Sequence, residues 1–414
     1  MSLSLRSVPR SLAREFVLLA ASTGLYQVSR LSVGLLAAAS LEPSEYGAWG
    51  VVLALLAYGT YANFGILSGA NREIPRLIGA GQEEHASRIE EAAFAGTIGL
   101  ALAMAVGGTG IALVTADPYL TLLVALVLAG QQLYLFGQTT LRARLRFDRA
   151  SVQQACIALA FPVFSLPLLG ILGVAALVVG QLVAFVVGAV LSLLLWQRQL
   201  RPRIDVNVTA RLVRDGAPIM LAGALFSVLT TLDRWLTLGL VGEEALGFYT
   251  VAALVSSAIL LAVNIGAQQL YPRMLVRHGA GTPPGELRSM ALRHGGFMAA
   301  AVLLPVAAII IVAPLVIELW LPAYRGAIPI VMVLPLGYLA LAASSGFTNL
   351  LVTIGRARLY AACLAVALVA ELVAAWALLS LGLGTLAVAL GSVIGLVALA
   401  TSAATVAYAV SRTG

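Results

Sequence analysis

What most constrains this chain is a succession of about twelve apolar runs, each roughly 20–25 residues, the length a helix needs to cross ~30 Å of hydrocarbon. They fall near 15–39, 46–70, 89–114, 118–141, 150–172, 174–196, 216–241, 245–271, 294–319, 327–353, 357–381 and 384–410. None alternates polar and apolar residues in short segments, which argues against an outer-membrane barrel. Hydrophobic residues make up 61% of the 414 and charged residues 10%, well below the ~25% of a soluble domain. The pattern predicts an all-α integral membrane protein with no room for a separate soluble domain.

All 25 basic residues are Arg. A Walker A phosphate loop and a Schiff-base enzyme both need Lys, so both are excluded. Cys156 and Cys363 lie inside apolar runs and read as small core residues. His85, His278 and His294 fall in or beside polar connections, without metal-ligand spacing. Neither a metal nor a cofactor is expected. The basic start "MSLSLRSVPRSLAREF" leads into a run that contains Arg30 and is long for a signal peptide, so it reads as an uncleaved first helix.

Twelve crossings place both termini on one side of the membrane. That side carries 22 Arg against 10 acids, whereas the other carries Arg325 against six acids. Arginine excess marks the cytoplasmic face, so both termini are expected there, in a bacterial inner membrane. The pI of about 9.7 then reflects this asymmetry, and nucleic acid is not an expected partner.

The second half repeats the first. "EPSEYGAWGVVLALL" matches "GEEALGFYTVAALV", pairing Gly47 with Gly247 at an offset of 200. Arg142 to Leu145 match Arg356 to Leu359 at 214, and "LGVAALVV" matches "LGTLAVAL" at 211. Six crossings separate each pair, so the halves share one orientation and are expected as pseudo-symmetric six-helix lobes around a central cavity. The expected division is a lobe at 1–197, a cytoplasmic connection at 198–215 and a second lobe at 216–414.

"PSEYGAWG", "RLVRDGAPIMLAGAL", "LDRWLTLGLVGEEALGFYTVAAL", "LWLPAYRGAIPIVMVLPLGY" and "VTIGRARLY", in that order, resemble the polysaccharide-export flippases. These belong to the superfamily that also holds the multidrug extruders. The resemblance runs from about residue 10 to 410. It implies a multidrug-extruder-like fold, alternating access, and transfer of a polyprenyl-diphosphate-linked oligosaccharide to the outer leaflet. Cell-surface polysaccharide such as O-antigen or exopolysaccharide would be the product, and polysaccharide-assembly enzymes the partners.

Four charges fall inside the apolar runs: Arg30, Asp233, Arg234 and Glu371. Each costs about 2.5–3.5 kcal/mol at mid-helix on insertion scales. Arg234 lies roughly 10 Å from the outer end of its run, within snorkelling reach, so an interfacial anchor is one reading. Arg30 lies deeper, in the repeat-equivalent run. Together they suit a diphosphate, which a guanidinium binds through two oxygens at once. Asp233 would orient Arg234 or recruit a counter-ion. Glu371 is a candidate site for a coupling proton or sodium ion, or a buried structural carboxyl.

Neutral polar residues within the runs include Tyr58, Tyr61, Asn63, Gln131, Gln138, Asn264 and Gln268. They suit glycan contacts in a polar cavity, or ordinary helix packing. The rival transport reading is a cationic-drug antiporter, for which acids without Arg would be expected in the cavity. A membrane polymerase or ligase would carry a sizeable outer loop with catalytic residues; here the outer connections are only a few residues long.

Overall fold

The computed structural model describes residues 10–195 and 201–413. Among them the chain is helical throughout: α1 (Arg10–Ser40), α2 (Pro43–Gly59), α3 (Ile66–Gly79), α4 (Glu83–Ala112), α5 (Pro118–Ala143), α6 (Phe147–Leu172) and α7 (Val174–Leu195). There follow α8 (Val206–Leu229), α9 (Leu232–Leu240), α10 (Glu243–Gly279), α11 (Pro284–Trp320), α12 (Ile328–Thr353), α13 (Ala357–Ser380) and α14 (Gly384–Thr413), with a 3₁₀ turn at Pro322–Ala327. Ten described helices are long and apolar enough to cross a membrane.

Two expected crossings are not continuous. The run at 46–70 ends as α2 at Gly59, turns through Phe64 (φ 52°) and Gly65 (φ 89°), and restarts as α3. The run at 216–241 breaks between Leu229 and Leu232. Neither break contains a proline, so hydropathy alone gave no sign of them. The first is closed by Asn63, whose Nδ2 donates to Thr60 O at 3.0 Å while its Oδ1 accepts from Gly65 N at 3.1 Å.

Packing divides the chain into two compact units: Met1–Ser40 with Leu55–Leu221, and Leu41–Ala54 with Ala222–Gly414. In the first, α1 packs on α6, while α5 packs on α4 and α7. The amphipathic α3 buries Ile66, Leu67, Ala70 and Ile74 against Ala93, Phe136 and Leu212. Here α3 and α8 touch backbone to backbone: a Cβ on Gly216 would meet Gly65 O and lie 2.6 Å from Gly69 N. The chain leading into α8 is also tied down, with Arg203 N donating to Glu91 O at 3.2 Å.

In the second unit, α12 packs on α10, α11 and α14, and α13 packs on α14. The strip at 41–54 joins this unit at the glycine pair picked out by the repeat. A Cβ on Gly47 would lie 2.6 Å from Glu243 O, and one on Gly247 would collide with Pro43 O. Tyr324 in the 3₁₀ turn donates its hydroxyl to Leu41 O at 2.9 Å and meets the Tyr46 ring edge-on.

The repeat is visible in the turns, with one correction to its register. Helices α2 and α10 start at Pro43 and Glu243, and Gly173 and Gly384 share nearly the same left-handed φ, 54° and 52°. These keep the offsets 200 and 211. The middle match does not. After α5, Leu145 is left-handed (φ 57°), and Arg146 N donates to Leu141 O at 2.8 Å. After α12, Gly355 is left-handed (φ 74°), and Arg356 N donates to Leu351 O at 2.8 Å. The true offset there is 210. The Arg-Ala-Arg-Leu letters had slid the alignment by about one helical turn.

A left-handed conformation costs an L-residue about 1–2 kcal/mol, and glycine relieves it at this position beyond a helix end. Leu145 is exposed, so little packing would be lost with its side chain. Leu145→Gly should therefore stabilise the protein by about 0.5–1 kcal/mol, and Gly355→Leu should destabilise it by about 1 kcal/mol. Thermal unfolding in one detergent, compared across both variants, checks the pair.

Candidate functional site

In the first unit Arg30 is half-buried on α1, its guanidinium carbon 5.8 Å from the centroid of the Tyr26 ring. No carboxylate pairs with it among the described residues. A guanidinium over an aromatic face keeps its charge and its donors.

Three glutamines of α5 donate to backbone carbonyls. Gln131 Nε2 donates to Leu56 O at 2.9 Å and Gln132 Nε2 to Gly59 O at 2.6 Å. Both acceptors lie in the last turn of α2, where they also accept from Thr60 N and Ala62 N. Gln138 Nε2 donates to Ala150 O at 2.9 Å. Each amide oxygen is buried with no hydrogen-bond partner. With the turn role of Asn63, this geometry favours helix joining for Asn63, Gln131 and Gln138. Tyr58 and Tyr61 are half-buried. In the second unit Asn264 is exposed on α10, and the Gln268 side chain lies outside the described residues.

The second unit gathers the other charges at the helix break. Asp233 and Arg234 sit in the first turn of α9, where helix N–H groups lack intrahelical acceptors and the dipole favours a carboxylate. Asp233 Oδ1 accepts from the Arg234 amide at 2.8 Å, and its Oδ2 accepts from the Tyr249 hydroxyl of α10 at 2.7 Å. Ser392 of α14 lies beside the same carboxylate. Glu371 of α13 is fully buried, with neither carboxylate oxygen hydrogen-bonded. Its Oε2 sits against the α14 backbone, 3.3 Å from where a Cβ on Gly395 would stand. Asp233, Tyr249, Tyr338 and Glu371 are near enough to interact electrostatically. Five helices thus converge on two buried carboxyls. Tyr249, Tyr338 and Ser392 escaped the sequence reading because nothing in their neighbourhoods marks them as partners of an acid far along the chain.

Arg234 does not share this cluster's bonds through its side chain. No ion pair joins it to Asp233. Its Nη1 reaches only Thr230 O, at 3.4 Å, and its buried Nε has no hydrogen-bond partner. The adjacent acid and base therefore serve different surroundings, as the ~100° separation of consecutive helix positions requires.

The fold is that of a known transporter class. Similar solved structures include a multidrug resistance MATE family transporter of the MOP superfamily in an inward-facing conformation, 18% identical, with a TM-score of 0.77 and 94% of each chain covered. An outward-facing structure from the same family and superfamily, 18% identical, has a TM-score of 0.66 with 96% of each chain covered. A MOP superfamily transporter from Pyrococcus furiosus, whose report describes a binding pocket of reverse polarity suggesting a different function, is 17% identical with a TM-score of 0.65, covering 96% of this chain and 95% of that one. No curated protein matches this chain. The family described as polysaccharide biosynthesis protein matches residues 36–323, and the chain belongs to it. It is a multi-pass membrane transporter of the MOP superfamily.

Tyr249→Phe keeps the ring and removes the one side-chain donor to Asp233 Oδ2. Leaving that buried oxygen short of a partner should lower stability by about 1–3 kcal/mol. Differential scanning in detergent measures it, with Tyr271→Phe, at a half-buried position on the same helix, as the reference.

Proposed function

We propose that this protein is a flippase that moves a polyprenyl-diphosphate-linked oligosaccharide from the cytoplasmic to the outer leaflet by alternating access, in a bacterial inner membrane with both termini cytoplasmic. The observation that carries the reading is the state of the two intramembrane arginines. Arg234 makes no ion pair with the carboxylate next to it in sequence and leaves its Nε without a hydrogen-bond partner, and Arg30 has no acidic partner among the described residues. Cations held this way in a low-dielectric region attract an anion, and a diphosphate offers oxygens spaced for their forked donors. Family membership supports a polysaccharide-linked substrate. Asp233 and Glu371 form the candidate coupling site, where a proton or sodium ion would relieve two carboxyls buried together.

The multidrug relatives favour a second reading, in which those buried carboxyls draw a cationic drug. The Pyrococcus furiosus relative supports treating pocket polarity as the discriminator. On that ground the free guanidinium groups favour the anionic substrate.

Proteoliposomes loaded with a short polyprenyl-diphosphate sugar test the choice. Arg30→Gln and Arg234→Gln should each insert and fold yet lose most transport, with Arg234→Lys intermediate because the charge remains and the fork is lost. Full transport by both Gln variants would return the arginines to an anchoring role. Glu371→Gln should keep its fold while losing any dependence of melting temperature on sodium or proton concentration, since a ligand stabilises only the state it binds. Stabilisation of wild type by cationic drugs, and not by the diphosphate, would favour the antiporter.

A further inference from the structure

The first unit contains a second concentration of arginines, outside the membrane runs. Helix α3, the start of α4 and the start of α8 enclose a cavity of about 680 Å³ into which Arg72, Arg76, Arg88, Arg203 and Arg211 all contribute. Its volume lies within the roughly 300–1,000 Å³ of small-molecule sites. Its walls are well fixed. The apolar face of α3 is buried in the unit's core, Gly69 permits the close approach of Leu212, and the chain carrying Arg203 is bonded to α4.

The three acids of the lining are fewer than its five arginines. Glu73 is ion-paired to Arg76 through both carboxylate oxygens. Arg88 pairs with Glu84 at 2.6 Å, outside the cavity lining. Asp205 caps α8, accepting from Val208 N at 3.0 Å, and Asp215 pairs with Arg214 at 3.4 Å. Arg72, Arg203 and Arg211 have no carboxylate partner among the described residues. Two of them converge. The Arg76 hydrogen bond holds the Glu73 carboxyl below its ordinary value, and the charges of Arg72 and Arg211 act on it in the same direction. Five arginines line the cavity against Glu73, Asp205 and Asp215, and a concave surface of net positive charge focuses its field on an anion. Gln82 and His85 add polar groups to the lining.

We infer that this cavity, on the side the arginine asymmetry assigns to the cytoplasm, is a binding site for an organic diphosphate, held by Arg72, Arg203 and Arg211. A guanidinium matches two phosphate oxygens with parallel donors, and three unpaired forks exceed what one carboxylate or chloride can engage. Two sources present this chemistry: a soluble nucleoside diphosphate, or the diphosphate headgroup of a polyprenyl lipid. The site is separate from Arg30 and Arg234, so it stands or falls independently of the transport reading.

The test is titration calorimetry of the purified full-length protein with inorganic pyrophosphate, adenosine diphosphate and a short polyprenyl diphosphate, in chloride buffer with sulfate as control. In an Arg30→Gln/Arg234→Gln background, which removes the intramembrane arginines, saturable pyrophosphate binding is expected to remain and to weaken at least about tenfold when Arg72→Gln/Arg211→Gln is added. Tighter adenosine diphosphate than pyrophosphate identifies a soluble ligand; tighter lipid, retained in Arg30→Gln/Arg234→Gln, identifies a headgroup. Arg203→Gln, on the exposed connection, gives the same reading if the double variant does not fold. No binding, equal affinity for sulfate, or binding that survives loss of Arg72 and Arg211 and of Arg203 would overturn the site.

Discussion

In hydrocarbon a backbone N–H or C=O without a partner costs several kcal/mol, and most of this structure follows from meeting that demand. Unbroken helices satisfy it internally. Where α2 and α8 end inside their apolar runs, side chains add to the remaining backbone bonds. At the first break the carbonyls of Leu56 and Gly59 receive Gln131 and Gln132, and Asn63 completes the turn from both its amide ends. At the second, Thr231 Oγ1 donates to Ser227 O, and the Arg234 amide is shared between Thr231 O and Asp233 Oδ1. The polar residues that hydropathy treats as exceptions are largely the repair of broken helices.

The same demand explains how a carboxylate comes to sit in the second unit at all. A helix that restarts inside the membrane exposes unpaired N–H groups and the positive end of its dipole, and Asp233 occupies that position. Tyr249 donates to its second oxygen, and Ser392 lies beside it. Glu371 has no such support. Both its oxygens are buried without a hydrogen bond, beside the close α13–α14 contact made possible by Gly395. One acid is structurally provided for and its neighbour is not. Under the proposed coupling, Glu371 rather than Asp233 would be the group a small cation relieves.

Much of the fold was legible because its signals are long. A run of twenty apolar residues reports a crossing whatever its partners, and the glycines at 47 and 247 marked a real backbone contact. What escaped depends on single residues. The breaks at 59–66 and 229–232 contain no proline, and an ordinary leucine takes the left-handed position at 145 where the second half uses Gly355. That one substitution hid the turn from an alignment by letters and let the Arg-Ala-Arg-Leu string misplace it. At the site, the four intramembrane charges were visible as sequence anomalies, but their partners were not. Tyr249, Tyr338 and Ser392 are unremarkable in an apolar helix until folding brings them to an acid.

The placement of Arg234 bears on the choice between anionic and cationic substrates. Had it closed an ion pair with Asp233, the two charges would have cancelled and neither would act on a ligand at range. Instead the amide of Arg234 serves the carboxylate while its guanidinium turns to Thr230 O with one nitrogen unpaired. Consecutive helix positions point about 100° apart, so a single turn of α9 can present acid to one environment and base to another. A transporter that couples a small cation to an anionic cargo needs two charged surfaces of opposite sign that do not quench each other. Under the proposed function, an adjacent Asp-Arg at a helix restart would provide that separation with two residues, which a purely anchoring arginine would not require.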